Sequence, residues 1–195
     1  MTDKPIVLGV CGSKGAGKDT IANQLVERHG FTRVAFADAL KQVALATNPL
    51  VFAAGEYTRL VDVVNSQGWE HAKYYADVRG YLQNLGMAAR EHISEDVWIN
   101  TVLWRIMELT QAGRSVVITD VRLTNEFNLI KDALGGHILR VDRPGHAPED
   151  DHVTENEFKS WKVSLVWVNR GTPEHAAKCS DLIVKSLKEL SSDTA

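Results

Sequence analysis

One stretch of this chain has the residue types and the spacing to hold a row of phosphates. Gly12-Ser13-Lys14-Gly15-Ala16-Gly17-Lys18-Asp19-Thr20 reads G-x-x-x-x-G-K, followed by Asp and Thr. It comes directly after a short apolar run, Ile6 to Cys11, and directly before a segment with Ile21, Ala22, Leu25 and Val26 at helical spacing. Glycines let the main chain turn its N–H groups towards an anion. The helix N-terminus adds a positive dipole, and the lysine reaches the terminal phosphates. The position after the lysine usually carries a Ser or Thr hydroxyl that touches Mg²⁺. Here it is Asp19, with Thr20 next, so either Thr20 supplies the hydroxyl in a shifted register or Asp19 holds a metal-bound water. The bland alternative is a flexible turn that only joins strand to helix.

A triphosphate site names a donor and leaves the reaction open. A second anion site has two candidates. Asp120 closes the apolar run Ser115 to Thr119, Arg122 stands two residues on, and Glu126 four further. An acidic residue at the carboxyl end of a buried strand is where ligands bind in open α/β sheets, and Arg122 could clamp a phosphate there. The competing reading is a helix cap at Asp120 and a surface pair at Arg122. The second candidate is Arg79 with Gln83, which share a helix face one turn apart; taken alone, a solvated helix face is the default reading of this pair. No Asn-Lys-x-Asp guanine reader is present, and the chain is short for a mechanical ATPase. His152 lacks a second histidine at ligand spacing and is read as a loop contact. His71, His92, His137 and His175 read as surface residues. Trp69, Trp104, Trp161 and Trp167 read as packing, and Cys11 as a small buried hydrophobe.

The elements that must position these groups alternate. Strands are expected at Ile6–Cys11, Val34–Phe36, Ser115–Thr119, Ile138–Val141 and Val163–Val168. Helices are expected at Lys18–His29, stopped by Gly30, and from Asp38 to Leu45, with Asp38 as cap. Others are expected over Ala72–Ile93, interrupted at Gly80 and Gly86, from Ser94 to about Gly113, from Thr124 to Leu134, and over Pro173–Ala177 with a further stretch at the C-terminus. Arg143 to Asn156 is polar and reads as a mobile loop. Strands separated by helices imply parallel pairing and an α/β fold.

Composition bounds the rest. The 195 residues are 44% hydrophobic and 24% charged, with 14 Gly and 5 Pro, which excludes collagen, coiled coil and disorder. A net charge of −3 argues against coating a nucleic-acid polymer, so positive charge for phosphates must be local. No run reaches the roughly 18 apolar residues of a spanning helix, and the N-terminus carries no secretory pattern. Cys11 and Cys179 form neither a metal pattern nor a disulfide framework. The expectation is a cytoplasmic, single-domain protein of residues 1–195 with small-molecule partners, no nucleic acid and no membrane.

The ordered set of short blocks resembles the phage-type deoxynucleoside monophosphate kinases, a branch of the P-loop nucleoside monophosphate kinase superfamily. The blocks are G-K-D-T at Gly17–Thr20, R-x-x-x-Q-x-L-G at Arg79, Gln83, Leu85 and Gly86, and Trp98-Ile99. They continue with D-x-R-x-x-x-E at Asp120, Arg122 and Glu126, R-P-G at Arg143–Gly145, and H-x-T-E at His152, Thr154 and Glu155. The last is N-x-G-[ST] at Asn169, Gly171 and Thr172. The resemblance implies a P-loop kinase fold: a central parallel sheet with helices on both faces, a helical acceptor region at about 50–112 and a lid loop at about 143–157. It implies ATP-dependent phosphorylation of a deoxynucleoside 5′-monophosphate, with Mg²⁺, in the cytoplasm (the host's if phage-encoded), a homodimer being among the assemblies left open.

Carried over by position, Gly12, Lys14, Gly15, Ala16, Gly17, Lys18, Asp19 and Thr20 would bind ATP phosphates, Asp19 and Thr20 the metal. Asn169, Gly171 and Thr172 would lie near the adenine. Asp38, Lys41, Arg79, Gln83, Gly86, Trp98, Arg122 and Glu126 would bind the acceptor. Lys18, Arg79, Asp120, Arg122 and Arg143 would act in transfer, Arg143 by closing over the moving group and Asp120 by placing the acceptor or a metal-bound water. Ala16, Gly80 and Met87 depart from the family pattern, where Ser, a second cation and Thr occur; the stretch from Leu50 to Ala76 is shorter than in larger relatives. Rival readings on the same loop are a dephospho-coenzyme A or phosphomevalonate kinase, or a non-catalytic ATP sensor.

Overall fold

The computed structural model describes residues 4–145 and 157–192. Its chain forms two compact units. One is made of Met1–Ala35 with Leu103–Ala195, the other of Phe36–Val102.

The first unit is built on a parallel sheet of five strands: β1 (Val7–Cys11), β2 (Thr32–Val34), β5 (Val116–Ile118), β6 (His137–Asp142) and β7 (Leu165–Val168). Their order is β2-β5-β1-β6-β7, and every neighbouring pair is parallel. The register places Gly9 opposite Ile118 on one side and Ile138 on the other. β1 is buried along its whole length, which is why it reads as an unbroken apolar run rather than an alternating one. The flanking elements are α1 (Lys18–His29), α6 (Thr124–Asn128), which passes into a wider π-type turn at Leu129–Ala133, and α7 (Pro173–Ser192). The core joins Leu8 and Val10 of β1 to Ile21, Ala22 and Leu25 of α1, Leu139 and Val141 of β6, Trp167 of β7, and Ile183 and Leu187 of α7. Burying a side chain such as Leu25 completely contributes about 2 kcal/mol.

The second unit holds α2 (Phe36–Thr47), a hairpin of β3 (Leu50–Ala53) and β4 (Glu56–Arg59), α3 (Leu60–Ala72), α4 (Ala76–His92) and the start of α5 (Val97–Gln111). Its own core gathers Ala44, Val51, Ala53, Leu60, Val63, Ala72, Val78 and Leu82.

Several expectations are corrected. The second strand is Thr32–Val34, not Val34–Phe36: Phe36 already opens α2, whose Ala- and Leu-rich sequence favours helix, and Asp38 sits inside the first turn instead of capping it. The break expected at Gly80 and Gly86 falls at residues 73–75, and both glycines lie within α4. Gly86 packs there against Leu40 of α2, and tertiary packing outweighs a propensity cost of about 1 kcal/mol. The C-terminal helix is continuous from Pro173 to Ser192. Trp104, read as packing, is 73% exposed. Of the loop from Arg143 to Asn156, residues 146–156 lie outside the described residues, and with them His152, Thr154, Glu155 and most of the expected lid.

Among the described residues no helix is long and apolar enough to cross a membrane.

Candidate functional site

In a parallel sheet all carboxyl ends face one edge, and ligands bind in the crevice outside that edge. Four segments of the first unit leave from it: the loop Gly12–Gly17 after β1, Asp120–Arg122 after β5, Arg143 after β6 and Asn169–Thr172 after β7.

The loop after β1 turns sharply into α1. Gly12, Gly15 and Gly17 have φ values of +142°, +76° and +105°. Space is restricted as well at two of them. A Cβ on Gly12 would overlap the carbonyl oxygen of Val141, and one on Gly17 would overlap Nδ2 of Asn169. Gly12 and Gly17 are therefore fixed by both backbone conformation and close approach, and Gly15 by backbone conformation. Lys18 folds over the loop, its Nζ donating to the carbonyls of Gly12 at 2.8 Å and Ser13 at 2.9 Å. Arg143 Nη1 donates to the carbonyl of Gly15 at 3.1 Å. Asn169 Nδ2 donates to the carbonyl of Ala16 at 2.8 Å, and its Oδ1 accepts the Gly171 N–H at 2.8 Å.

These contacts surround a cavity of about 420 Å³ lined by Gly15, Gly17, Lys18, Asp19, Thr20, Arg143, Asn169, Gly171, Thr172 and Pro173. The structure thus brings together residues drawn from sequence segments more than a hundred positions apart. Lys14 is exposed on the loop and Ala16 is buried. Pro173, expected only as the start of the last helix, also lines the site; its place two residues after Gly171 was the available signal. Beneath the loop, burial pushes the Cys11 thiol up to about 12, against the opposing pull of Arg140 and Lys18. That thiol is an inert packing group.

After β5, Asp120 is half-buried and Arg122 exposed. Glu126 is 3% exposed, and its Oε2 accepts the main-chain N–H groups of Arg122 at 2.8 Å and Leu123 at 3.1 Å. The carboxylate thereby satisfies N–H groups at the start of α6, which have no partners within the helix. Glu126 orders the segment that carries Arg122.

In the second unit, Arg79 and Gln83 are both exposed on α4, one turn apart, as their spacing requires. Trp98 is 6% exposed, and its indole N–H donates to the Gly86 carbonyl at 3.2 Å, tying α5 to α4. Lys41 Nζ lies 3.7 Å from Asp38 Oδ1 and 5.9 Å from the centroid of the Trp69 ring.

A sequence model of the family described as "Deoxynucleotide monophosphate kinase" matches residues 51–178. The chain belongs to that family. The matched span begins after the phosphate loop, so the glycine-lysine geometry at residues 12–20 stands as a separate observation. A protein of Acanthamoeba polyphaga mimivirus named "Putative deoxynucleotide monophosphate kinase" is 32% identical over 183 residues, covering 87% of this chain and 91% of the relative. Members of the deoxynucleotide monophosphate kinase family are phosphotransferases, and this chain is a kinase. Its fold is similar to that of dephospho-CoA kinase from Campylobacter jejuni, with a TM-score of 0.53 and 10% identity over 94% of this chain and 97% of that one. A kinase structure titled "putative" from Chloroflexus aurantiacus aligns with a TM-score of 0.51 and 12% identity, over 96% of this chain and 100% of that one. At such identities the likeness is one of fold: an α/β sheet of parallel strands flanked by helices, of P-loop kinase type.

Proposed function

We propose that this kinase transfers the γ-phosphoryl group of ATP to a deoxynucleoside 5′-monophosphate, giving ADP and the deoxynucleoside diphosphate. The reading is supported above all by one coincidence. A glycine-lysine loop with three positive-φ glycines opens a helix at the carboxyl edge of the sheet, in a chain whose residues 51–178 match the family. In this reading Gly12, Gly15, Gly17 and Lys18 bind the donor phosphates with main-chain N–H groups and one ammonium. Lys18 is held by two carbonyls of the same loop, so its charge is already stationed at the phosphate-binding turn.

Asp19 and Thr20 line the same cavity and are exposed to it. A carboxylate and a hydroxyl beside phosphate oxygens form an all-oxygen donor set of the kind Mg²⁺ takes, so these residues fit the metal. Bound there, Mg²⁺ would neutralise charge on the terminal phosphates. Arg143 draws up against Gly15 and sets a second positive charge on the wall of that cavity. Phosphoryl transfer needs in-line positioning and charge neutralisation more than covalent help. The acceptor phosphate is already an oxyanion, so Asp120 is assigned to positioning and not to proton abstraction. Arg79 and Arg122 are assigned to the acceptor phosphate; Gln83, Gly86, Trp98, Asp38 and Lys41 to the rest of the acceptor; and Glu126 to holding Arg122 in place.

The test is ADP release measured with ATP and each common deoxynucleoside and ribonucleoside monophosphate, with dephospho-coenzyme A and phosphomevalonate as further acceptors. Turnover stimulated by one or more deoxynucleoside monophosphates supports the proposal. Stimulation only by another acceptor, or ATP binding with no stimulation, refutes it.

A further inference from the structure

Asn169 is 7% exposed, and a buried amide must find its partners within the protein. Its two ends find one partner each, and the main chain of the same residue adds a third bond. Nδ2 reaches the Ala16 carbonyl, 153 residues away in sequence, at 2.8 Å. Oδ1 takes the Gly171 N–H at 2.8 Å. The main-chain N–H of Asn169 donates to the Asp142 carbonyl at 2.8 Å, immediately before Arg143. The orientation of the amide follows from these partners, because only its NH₂ end can face a carbonyl and only its oxygen can face an N–H. Gly17 lies flush against the same amide, leaving no room for a Cβ.

A peptide unit is planar and trans, so its C=O and N–H point in opposite directions. Holding the Ala16 carbonyl at Asn169 therefore turns the next N–H, that of Gly17, the other way. A rotated peptide would offer an anion a carbonyl oxygen in place of a donor. We propose that Asn169 is a positioning residue that fixes the Ala16–Gly17 peptide plane so that the loop can receive a triphosphate. Its amide is engaged at both ends inside the protein, so its task is to shape the phosphate loop and not to read a base. This inference rests on the loop being a triphosphate site.

The experiment uses the intact chain and two probes, ATP and inorganic tripolyphosphate, titrated calorimetrically against wild type, Asn169→Ser and Asn169→Ala. A serine hydroxyl can still take the Gly171 N–H in a short turn but is too short to reach Ala16. Both variants should lose about tenfold or more in affinity, as expected for one lost buried hydrogen bond, and by the same factor for ATP and for tripolyphosphate. The KM for ATP should rise in parallel while that for the acceptor changes less than twofold. Weaker ATP binding with unchanged tripolyphosphate binding would mean a base contact and overturns the inference. A variant that only lost folded protein would show a lower kcat with both KM values unchanged, and that result overturns it too. If wild type binds neither probe, the triphosphate reading itself fails, and this inference with it.

Discussion

The guanidinium of Arg143 donates to the carbonyl of Gly15 across 3.1 Å, although 128 residues separate them in the chain. The contact places a cation from the end of β6 on the wall of the phosphate cavity. Arg143 is exposed, so Arg143→Ala should leave the melting temperature within about 2 °C of wild type, a surface-level change. It should lower kcat ten- to a hundredfold if the charge meets the transferred group. Steady-state kinetics and a melting curve on the same preparation check both halves.

Lys18→Ala removes two charge-assisted hydrogen bonds to Gly12 and Ser13 along with the ammonium. Turnover should fall by about three orders of magnitude or more, since the loop's other ammonium, Lys14, is exposed and does not line the cavity. Stability should change by only about 1–2 kcal/mol in urea unfolding. Full activity in this variant would remove the loop from the reaction.

Arg122 and Glu126 should separate cleanly. Arg122→Ala should raise the acceptor KM with little loss of stability, because its side chain is exposed. Glu126→Ala should cost about 2–4 kcal/mol of stability, because it orphans two main-chain N–H groups beside a buried position. Paired urea unfolding and acceptor saturation curves distinguish the two effects.

Gly12→Ala meets both a φ of +142° and the Val141 carbonyl. It should destabilise the fold by about 2–4 kcal/mol. Urea midpoints for Gly12→Ala and wild type measure this directly.

Burial, reinforced by the nearby Lys131 charge, holds the His137 imidazole below its ordinary value of 6.5. The folded state thus favours the neutral ring. Its contribution to stability is fully present above that ordinary value and is lost as pH falls through it towards the lower folded value. His137→Asn should flatten the decline in urea midpoint between about pH 7 and pH 5. The carboxylate of Asp181, which Arg28 holds below its usual range, keeps its contribution throughout that window and loses it only at more acidic pH.

The strand, loop and helix around the phosphate site were legible because their punctuation is local. Gly17 and Gly30 bracket α1, and the helix is bounded by those two residues in the structure. Gly135-Gly136 marks the end of the α6 region in the same way. The hairpin at Leu50–Arg59 was not legible. Its turn is Ala54-Gly55, with Ala54 at φ +53°, not the Asn-Gly or Asp-Gly that announces such a turn. Leu50 and Phe52 are also apolar on the exposed face, which blurs the alternation. The unbroken course of α7 was hidden by its polar stretches, since Ile183 and Leu187 find their core only in three dimensions. At the site, residue types and block order pointed to the loop and the strand ends. The bond from Asn169 to Ala16 could not be read, because nothing in either segment names the other.

Sheet order has a further consequence for how the protein is made. β1 lies between β5 and β6, and both are synthesised long after it. As the chain emerges from the ribosome, the apolar strand that launches the phosphate loop has neither lateral neighbour until the intervening segment, Phe36–Val102, has been produced. The innermost strand of the finished molecule is thus the one that stays longest with both edges bare, and newborn chains are most vulnerable to mispairing there.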